Sequence, residues 1–181
     1  MVEPALSSCD VAVSEEIFDV CDEADQVIGQ FPRSVVHARR LLHRAVHVFV
    51  FNTQGELLLQ MRSTEKDEYP SCYTSSASGH LGAGESYEEA APRELEEELG
   101  LSGGRLERLH KFPASPETSQ EHTVLYRTVT DEAPRIDPRE IAAVTFHSLD
   151  EIAAMLAAEP AKFSPCFVTL FQWYRSRIGC D

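Results

Sequence analysis

The chain predicts an α/β or α+β domain, because strand-like and helix-like segments interleave along its 181 residues. Three observations carry this. Val- and Phe-rich runs have strand length, other stretches place apolar residues at helical spacing, and Gly, Pro or Asp clusters divide them. No internal repeat or low-complexity segment interrupts the pattern.

The elements follow in order. Residues 1–15 carry acids where a signal peptide would carry bases and then an apolar core, so they read as a flexible tail before a single domain at 16–181. Ile17-Phe18-Asp19-Val20 and Val27-Ile28-Gly29-Gln30 flank Asp22-Glu23-Ala24-Asp25, a β-hairpin signature. Residues 34–43 read as a short helix. Residues 44–52 are apolar on both alternating faces, as in a strand covered on both sides. Thr53-Gln54-Gly55 turns the chain into a second strand at 56–62, and the polar, Pro-containing stretch 63–73 is a loop.

A helix is expected from Ser86, where Glu89 completes a capping box, to Gly100. Strands follow at 105–112 and 123–129, joined by a loop over 113–120, and a further strand at 141–147. Ser148 with Glu151 caps another helix through Ala158. Pro165 sits in the first turn of the last helix, and Gly179 is placed to end it.

The net charge of −14, from 30 acids and 16 bases, disfavours nucleic acid as a partner. An acidic protein still handles phosphates when a divalent cation bridges the two. No apolar run reaches the ~20 residues of a membrane helix, so no membrane partner is expected and a cytoplasmic location is the default. The five cysteines, Cys9, Cys21, Cys72, Cys166 and Cys180, form no CxxC pair, so neither a disulfide framework nor a zinc site is expected and they read as reduced thiols.

The chemistry is concentrated at Gly79-His80-Leu81-Gly82-Ala83-Gly84-Glu85 and the helix behind it. At ~100° per residue, Glu94, Glu97 and Glu98 fall within one arc, beside an apolar arc of Ala91, Leu95 and Leu99. Seven glutamates lie between Glu85 and Glu98 against one base, Arg93. Such repulsion is relieved by a hard cation such as Mg²⁺, which prefers carboxylate and phosphate oxygens. Pro92 forfeits one helical hydrogen bond, so a kink or an irregular first turn is expected, with Arg93 to Leu99 intact.

The segment has the form G-x5-E-x7-R-E-L-x-E-E-x-G-L and resembles the Nudix box at every fixed position. Nine specified residues over 23 positions make that a specific match. The resemblance implies an α/β/α sandwich with a mixed sheet, here with the N-terminal β-hairpin added. It implies a hydrolase acting on the diphosphate linkage of a nucleoside diphosphate-type compound, with Mg²⁺, or Mn²⁺ in its place. By position, Glu94, Glu98, Glu97 and the carbonyl of Ser78 resemble the metal ligands. Arg93 resembles the residue that orients the carboxylates, and Glu85 supports them from the loop.

The wider chain, 16–177, resembles the Nudix branch that contains type 1 isopentenyl diphosphate isomerase. His37, His43, His80 and Glu121 lie about where that isomerase has metal ligands. Glu121 also fits the distal glutamate that many Nudix hydrolases use as a ligand or base. The isomerase pattern has a reactive cysteine where Ser78 stands and a tryptophan where Cys166 stands. Those two differences favour the hydrolase over the isomerase. A non-catalytic diphosphate-binding sensor is the third reading. Substrate identity and oligomeric state stay open, with the hairpin available to pair two subunits as a homodimer.

Overall fold

The computed structural model describes residues 15–102 and 104–177. Most of the tail, Cys9, Cys180 and the helix stop at Gly179 lie outside the described residues. The hairpin forms as expected, β1 (Ile17–Cys21) against β2 (Val27–Pro32). Asp22 closes its turn: Oδ1 accepts the backbone N–H groups of Ala24 and Gln26, each at 2.9 Å.

The next helix is shorter than its pattern suggests. α1 (Arg33–Arg39) stops because Arg40 turns left-handed, with φ of 52°, and returns its N–H to the His37 carbonyl. The chain is then free to begin β3 (His43–Phe51) at His43, opposite Glu121.

β3 is the centre of a seven-stranded sheet ordered β5-β4-β3-β8-β7, with β6 also on β3 and β9 on β4. The strands are β4 (Leu57–Arg62), β5 (Tyr73–Thr74), β6 (Ala77–His80), β7 (Glu107–Phe112), β8 (Glu121–Val129) and β9 (Ile141–His147). The β3–β8 pair is parallel and the others antiparallel, so the sheet is mixed. β5 and β6 lie in a stretch of Ser, Thr and Gly that carries no strand pattern of its own. Pairing with β4 and β3 makes them strands, an effect of tertiary context.

Along β3 the side chains alternate between two cores. Val46, Val48 and Val50 join Val124 and Tyr126 beneath Leu95 and Leu99 of α2 (Tyr87–Leu99). Phe49, Phe51 and Leu125 meet Ile152 of α3 (Leu149–Ala158) and Phe167 and Phe171 of α4 (Pro165–Arg177) on the other face. Full burial of each such side chain is worth about 1.5–3 kcal/mol. The result is an α/β/α sandwich, with the hairpin as a separate two-stranded sheet.

β3 and β4 pair at only one position, Phe51–Leu57, and then part. Ser76 spans the split: its Oγ accepts the Val50 N–H at 2.8 Å and donates to the Leu58 carbonyl at 2.6 Å. Beyond it β6 takes over the edge of β3, pairing Ser78 with His47 and His80 with Ala45.

α2 is framed as its sequence predicts. Ser86 and Glu89 make both halves of the capping box, and Gly100 ends the helix at φ of 62°. The irregular first turn expected from Pro92 is not found. Ser86 accepts the Glu89 N–H, and the helix runs from Tyr87 to Leu99 through Pro92, with Arg93 to Leu99 helical as expected.

Candidate functional site

A cavity of about 580 Å³ opens over the split between β3 and β4. The face of α2 toward β6 supplies carboxylates to its wall, while the loop after β4 closes it with Lys66, Glu68 and Tyr69.

The three glutamates of the helix arc do not share one environment. Glu94 and Glu98 are buried, with 9% and 6% of their surface exposed, whereas the Glu97 side chain is 59% exposed. Periodicity groups the three, but the depth of the groove under β6 separates them. Glu98 Oε2 accepts from Gln60 Nε2 at 2.8 Å and from the Ser78 N–H at 3.0 Å. Burial pushes its carboxyl up to about 7, and neighbouring Glu94 adds to the effect. Burial likewise holds Glu94 at about 7, although Arg93 pulls the other way.

Arg93 ties this wall together. Its Nε and Nη2 fork onto Glu85 at 2.7 and 2.8 Å, and Nη1 reaches Glu94 at 2.7 Å and Glu97 at 3.0 Å. Nη2 also donates to the His80 carbonyl at 3.1 Å. Glu85 Oε2 accepts the Gly82 N–H at 2.8 Å, which fixes the glycine-rich loop to the same guanidinium.

Beside this cavity, His37, His43 and His80 converge, with ring centroids 5.0 to 5.3 Å apart; His80 lines it, while His37 and His43 line a neighbouring cavity of about 180 Å³. Glu121 Oε1 lies 3.0 Å from His80 Nε2 and 3.8 Å from His43 Nε2. Burial drives His43 down to about 4 and His80 to about 3, so both rings are neutral near pH 7. Burial raises the Glu121 carboxyl. His37 Nε2 and His43 Nε2 are buried without a hydrogen-bond partner, an arrangement that costs about 1–3 kcal/mol per group unless something fills it.

Several contributors were not legible in the sequence. Phe18 of the hairpin stacks on His43, with centroids 5.8 Å apart and planes 8° from parallel, so the hairpin roofs the histidines. His47 lies deeper on the His43 face of β3, and its only sequence signal is the i, i+4 spacing of the two within one strand. The lining cations Arg62 and Lys66 come from β4 and the loop that follows it.

The NUDIX domain family model matches residues 41–167. An isopentenyl-diphosphate delta-isomerase of Nocardia farcinica is 36% identical over 154 residues, covering 81% of this chain and 87% of that protein. An uncharacterized Nudix hydrolase of Pseudomonas aeruginosa is 32% identical over 154 residues, covering 85% of this chain and 88% of its own. Among solved structures, the Deinococcus radiodurans protein DR0079 superposes with a TM-score of 0.71 at 29% identity. That match covers 79% of this chain and 90% of the other. Relatives bearing hydrolase and isomerase names thus match about equally well. On these matches, the chain belongs to the Nudix family.

Proposed function

We propose that the protein is a Mg²⁺-dependent hydrolase that cleaves the diphosphate linkage of a nucleoside diphosphate-type compound, with Mn²⁺ as a substitute. The observation that carries this reading is the buried Glu94–Glu98 pair facing the cavity with its Arg93–Glu85 support. Two carboxylates held at about 7 by burial are costly unless a cation shares their space. Oxygen donors of this kind fit a hard divalent ion.

Glu94, Glu98, the rim residue Glu97 and the Ser78 carbonyl are the groups we assign to hold Mg²⁺. When bound, the cation neutralises charge on phosphate oxygens and acidifies water. Arg93 keeps Glu94 and Glu97 oriented, and Glu85 keeps Arg93 in place. Glu121 is our candidate base, taking the proton of an attacking water, with His80 donating to it. Arg33, Arg62, Lys66 and Arg139 line the same cavity among its acids, and Arg33, Lys66 and Arg139 are paired with Asp67, Glu140 and Asp137, so substrate phosphates would bind them by displacing those partners. The domain at 16–181 acts as one unit, a small-molecule diphosphate is its partner, and its setting is the cytoplasm.

Isomerisation of isopentenyl diphosphate is the second reading, favoured by the histidine cluster with its two orphaned nitrogens and by the isomerase relative. Against it, Ser78 offers a weakly acidic hydroxyl where carbon protonation needs a stronger acid. Cys166 has no π-face to stabilise a carbocation.

The test is a panel of nucleoside diphosphate compounds incubated with Mg²⁺, wild type beside Glu98→Gln. Gln keeps the shape and helix propensity, so the variant is expected to fold and lose most phosphate or nucleoside monophosphate release. Full activity of Glu98→Gln sinks the assignment.

A further inference from the structure

Within the same cavity, three different metal-ligating side chains meet on elements other than α2. They are His47 of β3, Glu121 of β8 and Cys166 in the first turn of α4. All three are buried, with 5–6% of their surface exposed, and each offers one ligand atom within 4.8 Å of the other two. His47 Nε2 and Cys166 Sγ are 3.4 Å apart. Two ligands of a tetrahedral Zn²⁺, one thiolate and one imidazole, sit roughly 3.6 Å apart from their usual bond lengths.

We propose that His47, Cys166 and Glu121 form a site for a borderline divalent cation such as Zn²⁺ or Co²⁺, distinct from the hard-cation carboxylates on α2, and that loading it takes Glu121 out of its role as the base.

The donor set selects the metal. Mg²⁺ takes oxygen ligands, whereas a thiolate beside an imidazole suits Zn²⁺ and its congeners. The imidazole is also oriented for the task. His47 Nδ1 is 2.8 Å from Ser75 Oγ, a polar partner behind the ring that leaves Nε2 directed at the thiol. All three side chains line the cavity, so a fourth position faces the open volume, where water or a substrate oxygen fits. A hydrogen bond from the thiol to His47 would explain that pair alone. Glu121 Oε1 is hydrogen-bonded to His80 Nε2 at 3.0 Å, so what points to a metal is that all three ligand atoms also lie within 4.8 Å of one another.

Charge balances on loading. A neutral imidazole, a thiolate and a carboxylate carry −2 against the cation's +2. The Cys166 thiol proton, with any proton held by Glu121, leaves to solvent through the cavity. Without the cation, burial keeps the thiol protonated and the His47 ring neutral, at about 4.

The test is a Co²⁺ titration of the full chain in saturating Mg²⁺, read by absorbance and independent of turnover. A thiolate ligand to Co²⁺ gives a near-ultraviolet charge-transfer band, whereas coordination by the three histidines or the carboxylates gives none. The expected result is a band that saturates at one equivalent, disappears in Cys166→Ser and persists in Cys72→Ser. His47→Gln should weaken Co²⁺ binding at least tenfold. Absence of the band in folded wild type overturns the proposal, whatever the variants do. So does an undiminished band in Cys166→Ser.

Discussion

The Glu94 carboxylate lies directly over Gly79, in the space a Cβ at that position would occupy. The glycine of β6 is therefore the seat of a carboxylate on α2, and the requirement is steric. Gly79→Ala is expected to push Glu94 out of the groove, at a cost of about 1–3 kcal/mol for overpacking. Mn²⁺ binding, followed by paramagnetic resonance, should weaken at least tenfold in a protein that still folds. Unchanged Mn²⁺ affinity would separate Glu94 from the metal.

Arg93 makes five side-chain hydrogen bonds to Glu85, Glu94, Glu97 and the His80 carbonyl. Arg93→Lys keeps the charge but loses the planar fork. Orienting partners of metal ligands are typically worth 10–100-fold in affinity or activity, roughly the expected loss in kcat. A rate equal to wild type would return Arg93 to the solvated surface.

The readability of these parts divides by range. α2 was legible because its signals are local: Ser86 and Glu89 cap it, Gly100 stops it, and the box residues lie on consecutive turns. β6 was not, since Ala77-Ser78-Gly79-His80 becomes a strand only against β3. The separation of Glu97 from Glu94 and Glu98 also escaped the helical wheel, which gives angle but not groove depth. The resemblance to the isomerase branch names the histidines and Glu121 together, and the fold unites them through the parallel His43–Glu121 register and the hairpin that lays Phe18 over them.

Asp25 gives a pH-dependent test of how the hairpin is anchored. It accepts from Arg44 Nε at 2.6 Å, from Tyr87 Oη at 3.0 Å and from Lys111. Burial alone would raise its carboxyl, but the bonds from Lys111, Arg44 and Tyr87 outweigh it and hold the group at about 2. A folded value below the ordinary 3.8 contributes stability above that pH and loses it as pH falls toward 2. Asp25→Asn should therefore cost about 1.5–3 kcal/mol at pH 6. The gap to wild type should narrow as pH falls below 3.8 in urea melts. A gap independent of pH would show that the charge is not what matters.

His37 offers a test of the orphaned nitrogens. In chelator, His37→Phe should stay within about 1 kcal/mol of wild type, because removing the unpartnered Nε2 offsets losing the Nδ1 contact with Glu68 at 3.5 Å. With added Mn²⁺, wild type should gain melting temperature and the variant should gain less, since ligand binding stabilises only the state that binds. Equal gains would remove His37 from any metal site.

The claim that most needs testing is hydrolysis over isomerisation, because relatives of both names resemble this chain about equally. The decisive measurement is product analysis of two incubations, each with Mg²⁺ and with Mn²⁺. One holds isopentenyl diphosphate, and the other holds a panel of nucleoside diphosphate compounds. The Glu94–Glu98 wall, with Ser78 and Cys166 at the positions isomerase chemistry needs, predicts phosphate or nucleoside monophosphate from at least one panel member and no dimethylallyl diphosphate. Efficient dimethylallyl formation with no hydrolysis product would contradict it.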